Sequence, residues 1–177
     1  RWLTAFTLLG GTWFAIYSLN LPLPAEQLYG LGVLIMLYNI AIWFITRRWE
    51  LIAARTGRAC PRICPVVVTQ IFLDALCLTL FVHWTGGVTS PALVFFFLHA
   101  VMVVLLMPGW ASFVYDTGVM LAIGLVAFLE IISFLPHYSV LPGVPVDLYY
   151  DGAFIASRIT FFAIAVYAIS VVTAAVM

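Results

Sequence analysis

The chain is a series of long apolar runs separated by short turn-forming segments, and this feature limits the folds open to it. About 20 apolar residues in a helix cross the hydrocarbon core of a bilayer. Runs of this kind cover residues 2–19, 27–46, 66–84, 91–107, 110–135 and 152–177. Because the runs are continuous and do not alternate, they indicate helices and not a barrel. We therefore predict an all-α integral membrane protein, a bundle of six transmembrane helices that forms a single domain over residues 1–177.

The composition points to lipid as the main solvent of the chain. Hydrophobic residues make up 66% of the sequence and charged residues only 8%, which is too few to cover a protein of 177 residues in water. The sequence begins with Arg1 and stops at Met177 within an apolar run, which favours a domain excised from a longer chain. The first run is followed by no small-residue cleavage site, so we expect a retained helix and not a signal peptide.

Arginines are concentrated in one connection, and this distribution predicts the orientation. Residues 47–62 hold five arginines and one acid, whereas the connections at residues 20–26, 85–90 and 136–151 hold no Arg or Lys. Since cytoplasmic loops carry the excess of basic residues, the connection after the second run is expected in the cytoplasm. With six spans, the N- and C-termini then both lie in the cytoplasm.

Few polar side chains interrupt the apolar runs, and these are candidates for function because an ionisable group at the bilayer centre costs about 3 kcal/mol. Asp74 and Asn39 lie at mid-depth, and Asp74 is expected to act as an internal packing or coupling group. Glu130 and Arg158 lie at matching depths, so we predict that they form an ion pair. These polar residues either hold the helices together by hydrogen bonds or form a ligand or proton site.

Histidine and cysteine indicate no resident metal or haem. His83, His99 and His137 are scattered over the sequence, and none has a second histidine at the spacing of a metal motif. Cys60 and Cys64 lie in the arginine-rich connection, where neighbouring positive charges favour the thiolate and hence its oxidation. A redox-responsive thiol pair and a plain basic loop both remain open for this segment.

The strongest local pattern is a turn between the third and fourth runs, which we call the glycine turn. It reads Thr-Gly-Gly-Val-Thr-Ser-Pro over residues 85–91. Its two glycines permit a tight reversal, Ser90 can cap the next helix, and Pro91 suits the first turn of that helix. The pattern is explained either by a structural turn alone or by a turn that also forms part of a ligand site.

The glycine turn and its flanks resemble the membrane region of bacterial sensor histidine kinases of the redox-responsive RegB/PrrB type. In that family a Leu-Asp helix leads to a Thr-Gly-Gly-x-x-Asn-Pro-Phe turn and then to a helix that ends in Leu-Pro. Here Leu73 and Asp74 precede the turn, and the likeness extends by motif over residues 73–108. Ser90 and Ala92 stand at the Asn and Phe positions of the family pattern.

The resemblance implies the membrane-embedded sensory input domain of a two-component histidine kinase, without the catalytic part, in the inner membrane of a bacterium. Quinone is the implied sensed ligand, and no other cofactor is implied for this part. The residues that correspond to the family's turn are Gly86, Gly87 and Pro91, and we add Ser90 and His83 as neighbouring candidate ligand contacts. Besides the lipid bilayer, the implied partners are a second copy in a homodimer and a response regulator; nucleic acid is not expected.

Other classes of protein remain open from the sequence. A small transporter needs polar residues along a route, and here only Asp74 and Asn39 lie at mid-depth. A membrane enzyme subunit needs clustered acid, base or metal groups, and the sequence places none side by side. A purely structural membrane anchor is a further alternative. For the sensor, we expect input at the outer ends of the third and fourth helices and output through the sixth.

Overall fold

The regular structure of the chain is helical throughout the part that the computed structural model describes, residues 2–56, 65–138 and 149–176. In chain order the helices are α1 (Trp2–Tyr17), α2 (Ala25–Thr56), α3 (Pro65–Trp84), α4 (Val94–Leu106), α5 (Gly109–Ile131) and α6 (Gly152–Val176). Two short 3₁₀ turns, Gly87–Thr89 and Pro91–Leu93, lie between α3 and α4. The prediction of an all-α chain is confirmed for these residues.

Four segments within these helices are long and apolar enough to cross a membrane. They are Ala25–Glu50, Pro65–Trp84, Gly109–Ile131 and Gly152–Val176. Large apolar side chains on them face outward, and Phe72, Leu121 and Phe161 are 68–73% exposed. Such faces are typical of helices that contact lipid, so the chain is a multi-pass membrane protein. The other two helices are shorter, with 16 residues in α1 and 13 in α4.

The C-terminal ends of two helices differ from the predicted ones by four residues or more. α2 continues to Thr56, beyond the predicted end at residue 46, because the basic segment that follows contains no helix breaker. α5 ends at Ile131 and not at residue 135, since Ser133 adopts a positive φ of 57° that a right-handed helix does not contain. An apolar run therefore predicts that a helix is present more reliably than it predicts where that helix ends.

The chain divides into two compact units. The first comprises Arg1–Asn20 and Ala25–Cys77, and the second comprises Leu21–Pro24 and Leu78–Met177. Within the first unit α1 packs along α2, and a Cβ added at Gly32 of α2 would lie 2.4 Å from Leu9 Cδ2 of α1. Gly32 thus permits the close approach of two helices that small residues provide in membrane proteins.

The core of the second unit lies among α4, α5, α6 and the end of α3. Its largest buried apolar side chains include Val82, Phe96, Phe162 and Val166. After Ala111, the buried residues of α5 recur at intervals of three and four and therefore form one face of the helix: Ser112, Asp116, Val119, Ile123, Ala127 and Glu130. Two acids thus face the interior of this unit.

Candidate functional site

The glycine turn depends on two backbone positions with positive φ. Gly86 has φ 119° and Gly87 has φ 56°, conformations that glycine adopts without the steric cost that a Cβ brings. Residues 85–90 are all buried. The Thr85 hydroxyl donates to the Phe81 carbonyl at 2.6 Å, and its oxygen lies 2.6 Å from Ser90 Oγ. The turn is therefore a closed, internally bonded connection.

Ser90 and Pro91 begin the helical structure that follows the glycine turn. Ser90 Oγ accepts a hydrogen bond from the Ala92 N–H at 3.1 Å, and Pro91 occupies the first position of the second 3₁₀ turn. The predicted capping and proline roles are thus confirmed for this 3₁₀ turn. α4 itself begins at Val94 and not at residue 91, because the tighter turn precedes it.

Glu130 accepts hydrogen bonds from two histidines that the sequence places far apart. The Nδ1–H of His83, at the end of α3, donates to Glu130 Oε1 at 2.7 Å. The Nδ1–H of His137, after α5, donates to Glu130 Oε2 at 2.7 Å. The side chains of His83 and Glu130 are each only 7% exposed, so the hydrogen bonds form away from solvent. We name these three residues the His–Glu–His cluster.

The His–Glu–His cluster packs directly against the glycine turn. A Cβ added at Gly87 would lie 2.7 Å from Glu130 Oε2 and 3.0 Å from Glu130 Oε1. Position 87 therefore requires a glycine for two reasons: its φ is positive, and a Cβ there would enter the space that the Glu130 carboxylate occupies. The end of α3, the turn and the end of α5 meet at this point.

Two tyrosines border the His–Glu–His cluster. The ring of Tyr138 meets His83 edge-on with 5.6 Å between centroids, and the ring of Tyr149 lies 3.9 Å from that of His137. His137 Nε2 is buried and has no hydrogen-bond partner within the described residues. This nitrogen can accept from a donor when the imidazole is neutral and can donate to a carbonyl when it is protonated.

The predicted ion pair between Glu130 and Arg158 is wrong. Among the described residues, the carboxylate of Glu130 is engaged by the two histidines and forms no ion pair with Arg158. Arg158 is exposed, and its guanidinium carbon lies 5.6 Å from the ring centroid of Phe154, one turn earlier on α6. Matching depth alone does not bring the two side chains together, because Glu130 lies on a buried face of its helix and Arg158 on an exposed one.

Asp74 and Asn39 lie in the first unit and make different bonds. The Tyr38 hydroxyl of α2 donates to Asp74 Oδ1 of α3, so Asp74 joins two helices as a packing role requires. Asn39 is buried, and its side-chain amide donates to the Ile35 carbonyl of its own helix at 2.9 Å. The side-chain hydrogen bond of Asn39 therefore stays within α2, whereas Asp74 links α2 to α3.

The structure does not test the redox hypothesis for the cysteine pair. Cys60 and Cys64 lie outside the described residues, so their redox role stays a hypothesis. Cys77 is described and is a buried free thiol. Within residues 2–56, 65–138 and 149–176, no three His, Cys, Asp or Glu side chains are grouped so that they could hold a metal ion.

Asp116 is a buried acid that sequence reasoning missed. It is 0% exposed, and neither of its carboxylate oxygens has a hydrogen-bond partner in the described part of the chain. Ser170 of α6 lies near Asp116, but the two side chains do not reach hydrogen-bond geometry. The Ser170 hydroxyl therefore also has no partner among these residues. A search of each apolar run for single acids would have found Asp116, as it found Asp74 and Glu130.

We expect replacement of Asp116 by Leu to stabilise the protein by about 1–3 kcal/mol, because a buried polar group without partners is removed at similar side-chain size. Unfolding by denaturant in detergent measures the change. Asp151→Leu is the matched control: the Asp151 carboxylate accepts from the Ala153 N–H at 2.8 Å at the start of α6, so its loss should destabilise by about 1 kcal/mol. A less stable Asp116→Leu protein would contradict the account of an unpartnered carboxyl group.

Comparison with family models, with curated proteins and with solved structures finds no match to this chain. The fold and the site define its class: a multi-pass helical membrane protein with a buried His–Glu–His cluster at a glycine turn.

Proposed function

We propose that the chain is the membrane-embedded sensory input of a two-component histidine kinase, and that the His–Glu–His cluster and the glycine turn form its input site. The observation that carries the proposal is the convergence of a carboxylate, two imidazoles and the glycine turn from three separate segments. The resemblance of residues 73–108 to sensor kinases adds support. The proposal includes six spans, cytoplasmic termini and a bacterial inner membrane.

The His–Glu–His cluster has chemistry suited to sensing. Each imidazole changes its hydrogen-bonding capacity with protonation or tautomer, so a ligand at His137 Nε2 alters the bonds that hold Glu130. A quinone offers a carbonyl or hydroxyl to that nitrogen, depending on its redox state. We therefore add His137 to the predicted contact residues. Ser90 is a weaker candidate, since its hydroxyl is already bonded within the turn.

A route from the input site to the rest of the protein follows from the contacts of α6. This helix packs against the 3₁₀ turn Gly87–Thr89 and against α4 and α5, and it leads to the C-terminal end of the described chain. A ligand that binds two arrangements of these elements with different affinity shifts the equilibrium between them. The sixth helix is thus the proposed output.

The buried face of α5 favours the sensor over the alternative of a small transporter. Its two acids, Asp116 and Glu130, are about 21 Å apart along the helix axis. Val119, Ile123 and Ala127 occupy the face between them. A transport route needs polar groups that follow one another through the membrane, and this face offers apolar side chains there.

The input site is tested by autophosphorylation of the full-length protein in liposomes that contain oxidised or reduced quinone. We expect the rate to depend on quinone redox state, and we expect His137→Gln to abolish this dependence because the free imidazole nitrogen is lost. Gly118→Ala, at an exposed position of α5 with open space around it, is the matched control and should retain the response. An unchanged quinone response in His137→Gln, or none in the unmodified protein, would contradict the proposed input site.

The orientation of the chain gives a separate prediction. A reporter inserted within residues 47–62 should behave as cytoplasmic and one within residues 136–151 as external, because the first segment holds five arginines and the second holds no Arg or Lys. Alkaline phosphatase and fluorescent protein fusions measure the two locations. The opposite pattern would overturn the proposed topology.

A further inference from the structure

We propose that the second unit binds an anionic phospholipid beside the glycine turn, with the lipid phosphate on Arg158 and an acyl chain along Phe97, Phe161 and Phe162. This site contains none of the three residues of the His–Glu–His cluster. It is also independent of the proposed signalling role, because a lipid can occupy it in a membrane protein of any function.

A cavity of about 380 Å³ provides the space. The glycine turn forms one part of its wall through Ser90 and Pro91, and α6 forms another through Arg158 and the two phenylalanines that follow it. A volume of this size is within the range of small-molecule sites, roughly 300–1,000 Å³. The cavity fits the phosphate and glycerol region of a lipid. The acyl chains then continue along an exposed apolar surface that starts at Phe161, which is 73% exposed.

The guanidinium group of Arg158, which lines this cavity, has no counter-ion among the described residues. Arg158 forms no ion pair there, and the acids nearest to it in depth or in sequence are engaged elsewhere. Glu130 is held by the two histidines, and the Asp151 carboxylate accepts hydrogen bonds from the first turn of α6. An isolated cation on an apolar helix is costly, so an anionic partner is expected to bind it.

The position of Arg158 suits a phosphate at the membrane surface. Arg158 is six residues into α6, about 9 Å from the start of a helix that is long enough to span the bilayer. A long arginine side chain reaches the headgroup level from that depth. Its guanidinium group presents two parallel N–H donors, a geometry that matches phosphate oxygens.

The chemistry of the cavity distinguishes an anionic lipid from two other amphiphiles. A zwitterionic lipid also carries a phosphate, but its ammonium group cancels that charge, and Glu130 and Asp151, the acids nearest to Arg158 in depth or in sequence, are engaged elsewhere. A quinone has an uncharged head and leaves the guanidinium group unpaired. A headgroup with net negative charge neutralises Arg158 while its acyl chain covers the apolar wall.

The test is lipid binding to the full-length protein in detergent, measured by native mass spectrometry with phosphatidylglycerol, phosphatidylcholine and ubiquinone. We expect phosphatidylglycerol to bind most tightly. Arg158→Gln should weaken its binding on the order of tenfold, the loss expected for one charge-assisted pair. Arg47→Gln is the control, because Arg47 is also exposed and also lies over an aromatic ring, that of Trp43, but belongs to the first unit and does not line the cavity. Phe161→Ala, at an exposed position, should weaken binding without unfolding the protein.

Three results would overturn the proposal. The first is equal binding of phosphatidylglycerol and phosphatidylcholine. The second is equal loss of phosphatidylglycerol in Arg158→Gln and Arg47→Gln, which indicates a general charge effect. The third is displacement of phosphatidylglycerol by ubiquinone at equal concentration, which assigns the cavity to quinone. None of these outcomes depends on kinase activity, so the lipid site and the signalling role can fail separately.

Discussion

Replacement of Glu130 by Ala is expected to destabilise the protein by about 3–5 kcal/mol, because two buried hydrogen-bond donors lose their acceptor and a cavity remains where the carboxylate was. The Ala variant leaves the Nδ1–H groups of His83 and His137 without their acceptor in a buried setting. Each unsatisfied donor costs about 1–3 kcal/mol, and the space of the carboxylate is lost as well. Unfolding by denaturant in detergent measures the change in the free energy of unfolding.

Two variants sharpen this test. Glu130→Gln keeps one acceptor oxygen, and its amide can donate to an imidazole that has changed tautomer, so a smaller loss of about 1–2 kcal/mol is expected. Glu50→Ala on the exposed surface of α2 should change stability by no more than about 0.5 kcal/mol. Equal effects of Glu130→Ala and Glu50→Ala would show that the two histidine contacts do not hold the fold together.

Replacement of Gly87 by Ala is expected to destabilise the protein by about 2–3 kcal/mol. The backbone at Gly87 has φ 56°, which is strained for any residue with a Cβ. The added Cβ would also lie 2.7 Å from Glu130 Oε2, so the carboxylate must move away from its histidines. The quinone response should therefore weaken together with stability.

Gly118→Ala is the matched control for this substitution. Gly118 lies within α5, and a Cβ added there meets no atom within 4 Å. Alanine is the better helix former, so this variant should be unchanged or more stable by up to about 1 kcal/mol. If Gly87→Ala were as stable as Gly118→Ala, the described contact between the turn and Glu130 would be wrong.

The helices could be predicted from the sequence because lipid imposes a simple rule on it. Continuous apolar runs must satisfy their backbone within each segment, so each run becomes a helix. The break at Pro108 and Gly109 was placed correctly between α4 and α5, since proline ends one helix and suits the start of the next. The 3₁₀ turns before Val94 were not foreseen, because the same residues suit either kind of helix start.

The His–Glu–His cluster could be predicted only in part. Glu130 was identified as a costly intramembrane acid and His83 as a candidate contact, but their pairing joins residues 47 positions apart. Depth along a helix can be counted from sequence, whereas the direction that a side chain faces depends on how the helices pack. This is why Arg158 was assigned to Glu130 in place of the two histidines.

The proposal that this chain is part of a histidine kinase is tested most directly by phosphorylation of the full-length protein. Incubation of the purified protein with ATP labelled at the γ-phosphate should transfer the label to a histidine outside residues 1–177. The phosphohistidine is identified by its stability in base and its loss in acid. Absence of label, under conditions in which a known histidine kinase is labelled, or label that survives acid, would contradict the assignment of this chain as a kinase input domain.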